Sequence, residues 1–86
     1  MLNLIYAPNF LRQYKKLESD LQEEVLQKIK IFENEENHLS LKVHKLHGCL
    51  SDKYGFSVNY KIRIVFQYLS KKEVALLAVG DHEVYG

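Results

Sequence analysis

Two adjacent segments decide the fold: KIRIVFQYL at residues 61–69 and EVALLAV at residues 73–79. In the first segment, Ile62, Ile64 and Phe66 alternate with mostly polar residues. This alternation predicts a strand with one face in the core and the other toward solvent. The second segment is apolar on both sides, which predicts a central strand buried on both faces. Because only three residues separate the segments, the two strands should be antiparallel neighbours.

Weaker strand signals flank these two segments. Residues 54–58 alternate and predict a strand, which a tight turn at residues 59–60 joins to the first segment. Residues 41–46 predict a weak strand or an extended segment, and residues 48–53 a turn or loop. Residues 2–6 predict a short first strand. Most of the sheet should therefore come from the second half of the chain.

Two amphipathic helices are predicted after the first strand. Pro8 suits the first turn of a helix, where its missing N–H costs nothing. The helix that it begins places four apolar residues at helical spacing, namely Phe10, Leu11, Tyr14 and Leu17.

The second helix is predicted from its start signal and its apolar stripe. Ser19 or Asp20 is expected to cap it, and Asp20 and Glu23 are expected to form a capping box. The acidic run at residues 33–36 should end it. Its apolar stripe is widened by Leu26 and otherwise consists of Leu21, Val25, Ile29 and Phe32.

These elements predict a single α+β domain over residues 1–86. Its architecture is an N-terminal strand and a two-helix hairpin packed on one face of an antiparallel sheet. The helices should cover the apolar face of residues 61–69. The opposite face, which carries Lys61, Arg63 and Gln67, should stay open to solvent, and a functional site is expected there.

The charge is small in total but uneven along the chain. The formal net charge is +1, which is less than dedicated nucleic-acid binders carry. Residues 1–41 hold five Lys and Arg against seven Asp and Glu, whereas residues 42–86 hold seven against four. The second half is therefore the part suited to an anionic partner.

Cysteine usage and hydropathy indicate a cytoplasmic protein. The single cysteine, Cys49, cannot form an internal disulfide, and we interpret it as a small apolar filler beside Gly48. The apolar opening at residues 2–7 is too short for a signal peptide or a membrane span. No membrane partner is therefore expected.

Arg63 is the first candidate for a functional residue. It lies mid-strand between two isoleucines, and a guanidinium held on a strand can clamp a phosphate because its fork matches phosphate geometry. The alternative is a structural ion pair with Glu73 or Asp81, or a solvated strand residue. The sequence leaves these options open.

His82 and Tyr85 follow the predicted central strand, where a side chain can be held and still be accessible. An imidazole there can exchange a proton with a sugar oxygen near neutral pH. Tyr85 can stack on a base or take part in proton transfer. The alternatives are a surface histidine and a tyrosine that anchors the C-terminus.

A third group lies around Leu46. Alternation in an extended segment points His44 and Leu46 to one side, and Lys45 and His47 to the other. Lys45 is a candidate phosphate contact, Lys42 a weaker one, although exposed lysines are usually only solvated. His44 and His47 alone do not make a metal site, because no paired cysteine or acid lies at ligand spacing. No metal or cofactor is expected.

The order of several motifs resembles the RelE/ParE superfamily of bacterial toxins across nearly the whole chain. The motifs are YAPNF at residues 6–10, KKL at 15–17, HKLHG at 44–48, YKIRIVF at 60–66 and LLAVGDHEVY at 76–85. The resemblance implies a compact α+β fold of the microbial-ribonuclease kind. It also implies a toxin paired with a small antitoxin, with a toxin–antitoxin hetero-oligomer as an option.

In the RelE and YafQ branches the resemblance implies ribosome-dependent cleavage of mRNA in the A site by metal-free attack of the 2′-OH. Carried over by position, Arg63 would hold the scissile phosphate, and His82, Tyr85 and His44 would be catalytic. Lys45, Lys61, His47 and Lys42 would contact RNA. The alternative is the ParE branch, which inhibits DNA gyrase without nuclease chemistry. A third option is a decayed module that only binds an antitoxin.

Overall fold

The computed structural model describes residues 1–48 and 52–85, without the side chains of residues 82 and 85. Cys49 and part of the loop predicted at residues 48–53 lie outside this description. The described residues include the 3₁₀ turns Glu35–Asn37 and His82–Tyr85 besides the main elements. Those elements are β1 (Asn3–Tyr6), α1 (Pro8–Lys15), α2 (Ser19–Phe32), β2 (His44–Lys45), β3 (Tyr54–Ser57), β4 (Arg63–Tyr68) and β5 (Glu73–Gly80).

The five strands form one mixed sheet in the order β1-β5-β4-β3-β2. The strands from β2 to β5 are antiparallel neighbours, as their short connections predict. β1 pairs with β5 in parallel. Both helices and the other strands lie between β1 and β5 in the sequence, so no tight turn forces the two strands to be antiparallel. The predicted α+β fold is confirmed, and β1 adds a parallel edge to the antiparallel part of the sheet.

The core lies between the helices and one face of the sheet. Phe32 of α2 stands at its centre, with ring centroids 4.7 Å from those of both Phe56 and Phe66 and 4.6 Å from that of His38. Truncating such a buried ring typically costs about 3–5 kcal/mol. The same core contains, among others, Leu2, Phe10, Val25, Ile29, Ile62, Ile64, Val74, Leu76 and Val79.

Two details of the predicted second helix are wrong. Its N-cap is Glu18, and Asp20 lies inside the first turn with its Oδ1 accepting from the amide of Leu21, so no capping box forms. Leu26 is 51% exposed and does not widen the buried stripe. The helix begins one or two residues earlier than its polar signals suggest, since packing of the apolar stripe decides its position.

The sheet face opposite the helices is only partly open. Val65 and Leu46 are 2% and 6% exposed, although neither belongs to the core between helices and sheet. The side-chain amide of Gln67 donates to Asp52 Oδ2 at 3.1 Å, which holds the segment after β2 against this face. The face predicted to be open is therefore limited to the end of the sheet where β4 begins.

Candidate functional site

Arg63 is fixed at the end of the sheet where β4 begins. It pairs with Ser57 on β3 and Gly80 on β5. Its Nη1 donates to the carbonyl oxygens of Asn59 and Ile62, so the half-buried guanidinium braces the turn between β3 and β4. The sequence does not predict this bracing role, because every residue has a backbone carbonyl and no residue type marks the ones that accept from Arg63.

One predicted alternative for Arg63 is excluded by the register. Glu73 is seven residues from Gly80, at the opposite end of β5, which places it roughly 20 Å from Arg63 along the strand. Asp81 follows Gly80 directly, and its Oδ1 accepts from the amide of Glu83 at 3.0 Å. The predicted alternative of an ion pair between Arg63 and Glu73 is therefore wrong.

The C-terminal turn returns over the end of the sheet beside Arg63. A Cβ built on Gly80 would stand 2.9 Å from Val84 Cγ1, closer than such atoms approach, so this contact requires glycine. Since Gly80 and Arg63 are paired across β5 and β4, their positions share one face of the sheet. The backbone thus brings the turn with His82 and Tyr85 next to Arg63, and the catalytic roles of these two side chains stay predictions.

Asn59 organises the turn that carries Arg63. Its Oδ1 accepts from the amides of Lys61 at 2.8 Å and Ile62 at 2.7 Å. Its Nδ2 donates to the carboxylate of Glu24 on α2 at 3.0 Å. The sequence signal of Asn in a turn predicts the first two bonds. It does not predict the third, since Glu24 is 35 residues away.

His44 lies on β2 and pairs with Gly55, on the same face of the sheet as Arg63. Two strand spacings and two residues separate their Cα atoms, or roughly 12 Å. The His44 ring Nδ1 lies 2.9 Å from the carbonyl oxygen of Lys42. Because a carbonyl only accepts, Nδ1 donates, and Nε2 is the ring nitrogen that carries no hydrogen in the neutral imidazole. The bond from Nδ1 holds the ring of His44 against the loop before β2.

The predicted RNA-contacting residues fall into separate places. Lys42 lines a cleft of about 380 Å³ together with Arg63, which we call the cationic cleft. Lys61 lines a second cleft of about 590 Å³, on the other side of the β3–β4 turn, which we call the mixed cleft. Lys45 alternates with His44 and points away from its face, and His47 is exposed beyond β2. The structure groups Lys42 with Arg63 and separates the other three from it.

Shifted pKa values occur at two ion pairs and at two partly buried phenols. A hydrogen bond from Lys53 lowers the pKa of Asp52, and one from Lys72 lowers that of Glu35. Burial raises the pKa of Tyr6 and of Tyr68. These shifts concern the segment over Gln67 and the outer parts of the sheet.

Metal ligation and membrane insertion have no support in the described residues. Residues 1–48 and 52–85 contain no group of three or more His, Cys, Asp or Glu that could hold a metal ion. Within the same part of the chain, no helix is both long enough and apolar enough to cross a membrane.

The sequence matches no protein-family model and no curated protein, but solved structures match it over nearly its full length. One is the YoeB–YefM complex from Staphylococcus aureus, with 17% identity and a TM-score of 0.73, covering 95% of this chain and 98% of that chain. Another is the toxin–antitoxin complex RelBE2 from Mycobacterium tuberculosis, with 13% identity and a TM-score of 0.73, covering 94% and 98%. A third is YafQ from E. coli, with 14% identity and a TM-score of 0.69, covering 98% and 97%.

These matches define a class of fold, in which two helices pack on a small mixed sheet as in bacterial toxins of toxin–antitoxin pairs. Within that class, the chain shares its fold with RelBE2, YoeB and YafQ, which is the fold that its sequence motifs imply. Structures of the RelE, YoeB and YafQ types match to a similar degree, so the fold does not choose between branches.

Proposed function

We propose that this protein is the toxin of a bacterial type II toxin–antitoxin system and cleaves mRNA in the ribosomal A site. The observation that carries the proposal is Arg63, held at the end of the sheet next to the turn that contains His82. A braced guanidinium is preorganised, so it can stabilise the extra charge of a phosphate in the transition state without rearrangement.

The chemistry needs no metal, because RNA carries its own nucleophile. A base removes the proton of the 2′-OH, the 2′ oxygen bonds to phosphorus, and the bond from phosphorus to the 5′ oxygen breaks. An acid then protonates the 5′ oxygen, which leaves a 2′,3′-cyclic phosphate and a 5′-OH. General acid–base help of this kind contributes about 10²–10⁴-fold to a rate.

Each role falls to a residue at this end of the sheet. Arg63 holds the phosphate, His82 acts as acid or base, and His44 is the opposite partner. Tyr85 stacks on the substrate or shares protons with it. We assign the neighbouring backbone contact to Lys42, since it shares the cationic cleft with Arg63.

The partner is proposed to be a cognate antitoxin, forming a hetero-oligomer with the toxin. The mixed cleft supports this, because Leu17, Ile62 and Val84 line it alongside the charged groups Lys16 and Glu83. An amphipathic segment with apolar side chains and charges of both signs fits such a surface. Its binding there would contact the C-terminal turn and so reach the proposed site.

Induction without antitoxin tests the proposal. Arg63→Ala and His82→Ala should each relieve growth arrest, while Arg12→Ala, an exposed arginine on α1, should leave it intact. Purified wild-type protein should cleave mRNA on translating ribosomes and leave DNA supercoiling by gyrase unaffected. Gyrase inhibition without mRNA cleavage would instead identify the ParE activity, and undiminished toxicity in both variants would discard the assigned residues.

A further inference from the structure

Polar groups line the cationic cleft almost throughout. Its three cations come from three elements: Lys28 from α2, Lys42 from the loop before β2, and Arg63 from β4. Ser40, Ser57, Asn59 and Tyr60 also line it. No carboxylate is among the described residues that line this cleft. Its volume of about 380 Å³ lies within the range of small-ligand sites, so an anion of that size fits.

One carboxylate lies close to the cleft and is already engaged. Glu24 precedes Lys28 by one helical turn on α2. It accepts hydrogen bonds from the side-chain amide of Asn59 at 3.0 and 3.3 Å. The carboxylate of Glu24 therefore binds Asn59, which lines the cleft, and fixes the position of that residue.

Tyr60 lines the same cleft and is 88% exposed. Two sets of hydrogen bonds hold the turn that carries it, because Asn59 Oδ1 accepts from the amides of Lys61 and Ile62 and Asn59 Nδ2 donates to Glu24. An exposed aromatic ring next to phosphate-binding cations is the arrangement that proteins use to hold a nucleotide of a single strand. In such sites the aromatic ring stacks on the base and the cations bind the phosphate.

Lys42 is held in this cleft by a backbone conformation that lysine seldom adopts. Its φ is 58°, in the left-handed region that favours glycine. The surrounding loop fixes it: the amide of Lys42 donates to Leu39, that of Val43 donates to His38, and Leu41 is buried. Such conformations persist where the surroundings over-determine them, and they cluster at ligand sites.

We propose that the cationic cleft is a nucleotide subsite for RNA, adjacent to the phosphate held by Arg63. Lys28 and Lys42 bind the neighbouring phosphate, and Tyr60 stacks on its base. The assignment rests on the proposed function for the identity of the ligand. A protein segment fits less well, because it would dock through apolar side chains and Leu41 is the one aliphatic residue among the described lining.

The test is binding of a 2′-O-methylated oligoribonucleotide, which cannot be cleaved because its nucleophile is blocked. Binding is followed by NMR on the isotope-labelled protein at several salt concentrations. Lys28→Gln should weaken binding about 3- to 10-fold and reduce the slope of log K against log salt by about 0.7. Lys30→Gln is the matched control, since Lys30 is exposed on the same helix and lines neither cleft. It should leave both quantities unchanged.

Substitutions of Tyr60 provide a second, independent test in the same binding experiment. Tyr60→Ala should weaken binding about tenfold, within the range measured for a base stacked on an aromatic ring. Tyr60→Phe should restore it, because the ring is retained. Equal affinity in the Ala and Phe variants would remove Tyr60 from the subsite.

The outcomes separate this subsite from the nuclease proposal. Binding through the cleft without cleavage of ribosomal mRNA would retain the subsite and reject the nuclease. Cleavage with an unchanged KM in Lys28→Gln, together with affinity equal to that of Lys30→Gln, would reject the subsite and retain the nuclease. A hexaglutamate peptide that shifts the signals of Lys28, Lys42 and Tyr60 more than RNA does would assign the cleft to an acidic protein partner and overturn the proposal.

Discussion

The cationic cleft and the mixed cleft lie on opposite sides of the β3–β4 turn, yet they differ in charge and polarity. The cationic cleft has Lys28, Lys42 and Arg63 without a lining carboxylate among the described residues. The mixed cleft balances two lysines against Asp81 and Glu83 and adds five apolar side chains. The smaller cleft suits a polyanion and the larger one an amphipathic partner. One turn of a few residues thus separates the proposed nucleotide subsite from the proposed antitoxin surface.

The largest effect is expected from Gly80→Ala, which changes the contact between β5 and the C-terminal turn at the proposed catalytic end of the sheet. The new methyl group would meet Val84 and push the C-terminal turn away from Arg63. Because a displacement of about 1 Å can cost on the order of 10²-fold in rate, mRNA cleavage should fall by about that factor. Ribosome-based cleavage assays measure it.

Val84→Ala tests the mechanism of that loss. It removes the atom that the new methyl group would meet, so the double variant should regain most of the activity of Gly80→Ala. A double variant no more active than Gly80→Ala would show that the contact with Val84 does not position the turn. The cycle isolates the coupling between the two positions.

Asn59→Ala should affect both clefts at once, because it loosens the turn between them. Two backbone amides and Glu24 lose their partner, and the free energy of unfolding should fall by about 1–2 kcal/mol. Chemical denaturation measures this change. Glu24→Ala removes only the bond to the helix and should cost less. An equal cost in both variants would mean that the backbone bonds contribute little.

Lys42→Gln and Lys61→Gln test the comparison most directly, because each removes one positive charge from one cleft. Lys42→Gln should weaken binding of the 2′-O-methylated oligoribonucleotide about 3- to 5-fold, as expected for one lost phosphate contact. Lys61→Gln should leave it unchanged, since Lys61 lies in the mixed cleft. Equal losses would show that RNA crosses the turn and that the division into two surfaces is wrong.

The smallest effect is expected from lowering the pH, which acts on the hydrogen bond between Asp52 and Gln67 on the sheet face opposite the helices. The hydrogen bond from Lys53 lowers the pKa of Asp52, so the carboxylate stays charged to a lower pH than an ordinary aspartate. Its bond to Gln67 is therefore present above the ordinary pKa and is lost as the pH falls through the lowered value. The side-chain amide signals of Gln67 should stay constant from neutral pH to about pH 4 and shift below it. A shift near pH 5 would contradict the lowered pKa.

The sequence predicts the elements of this fold because each has a local cause. Alternation in β4 and the helical stripe of Val25, Ile29 and Phe32 both reflect burial against the same core. What it cannot predict depends on contacts between distant residues. The bond from Asn59 to Glu24 and the irregularity in the pairing of β4 with β5 near Val65 have no local signature.

The candidate site is predicted only in part for the same reason. Alternation places Arg63 on the face opposite the helices, since it fixes the face on which a strand residue lies, whereas only the pairing of β2 with β3 shows that His44 lies on the same face. Lys61 and Lys45 are grouped with them in sequence but lie elsewhere in space. Lys28 was overlooked because it belongs to a helix in the acidic half of the chain, and only tertiary packing brings it to Arg63.

The two outer strands of the sheet are short, with four residues in β1 and two in β2. A long, flat outer strand presents unpaired amides and carbonyls to which another copy can add, and this leads to aggregation. Because β2 has only two residues and one of them is the charged Lys45, it exposes few backbone groups to which another strand could bind. The short outer strands therefore give another copy of the chain little backbone on which to add a strand.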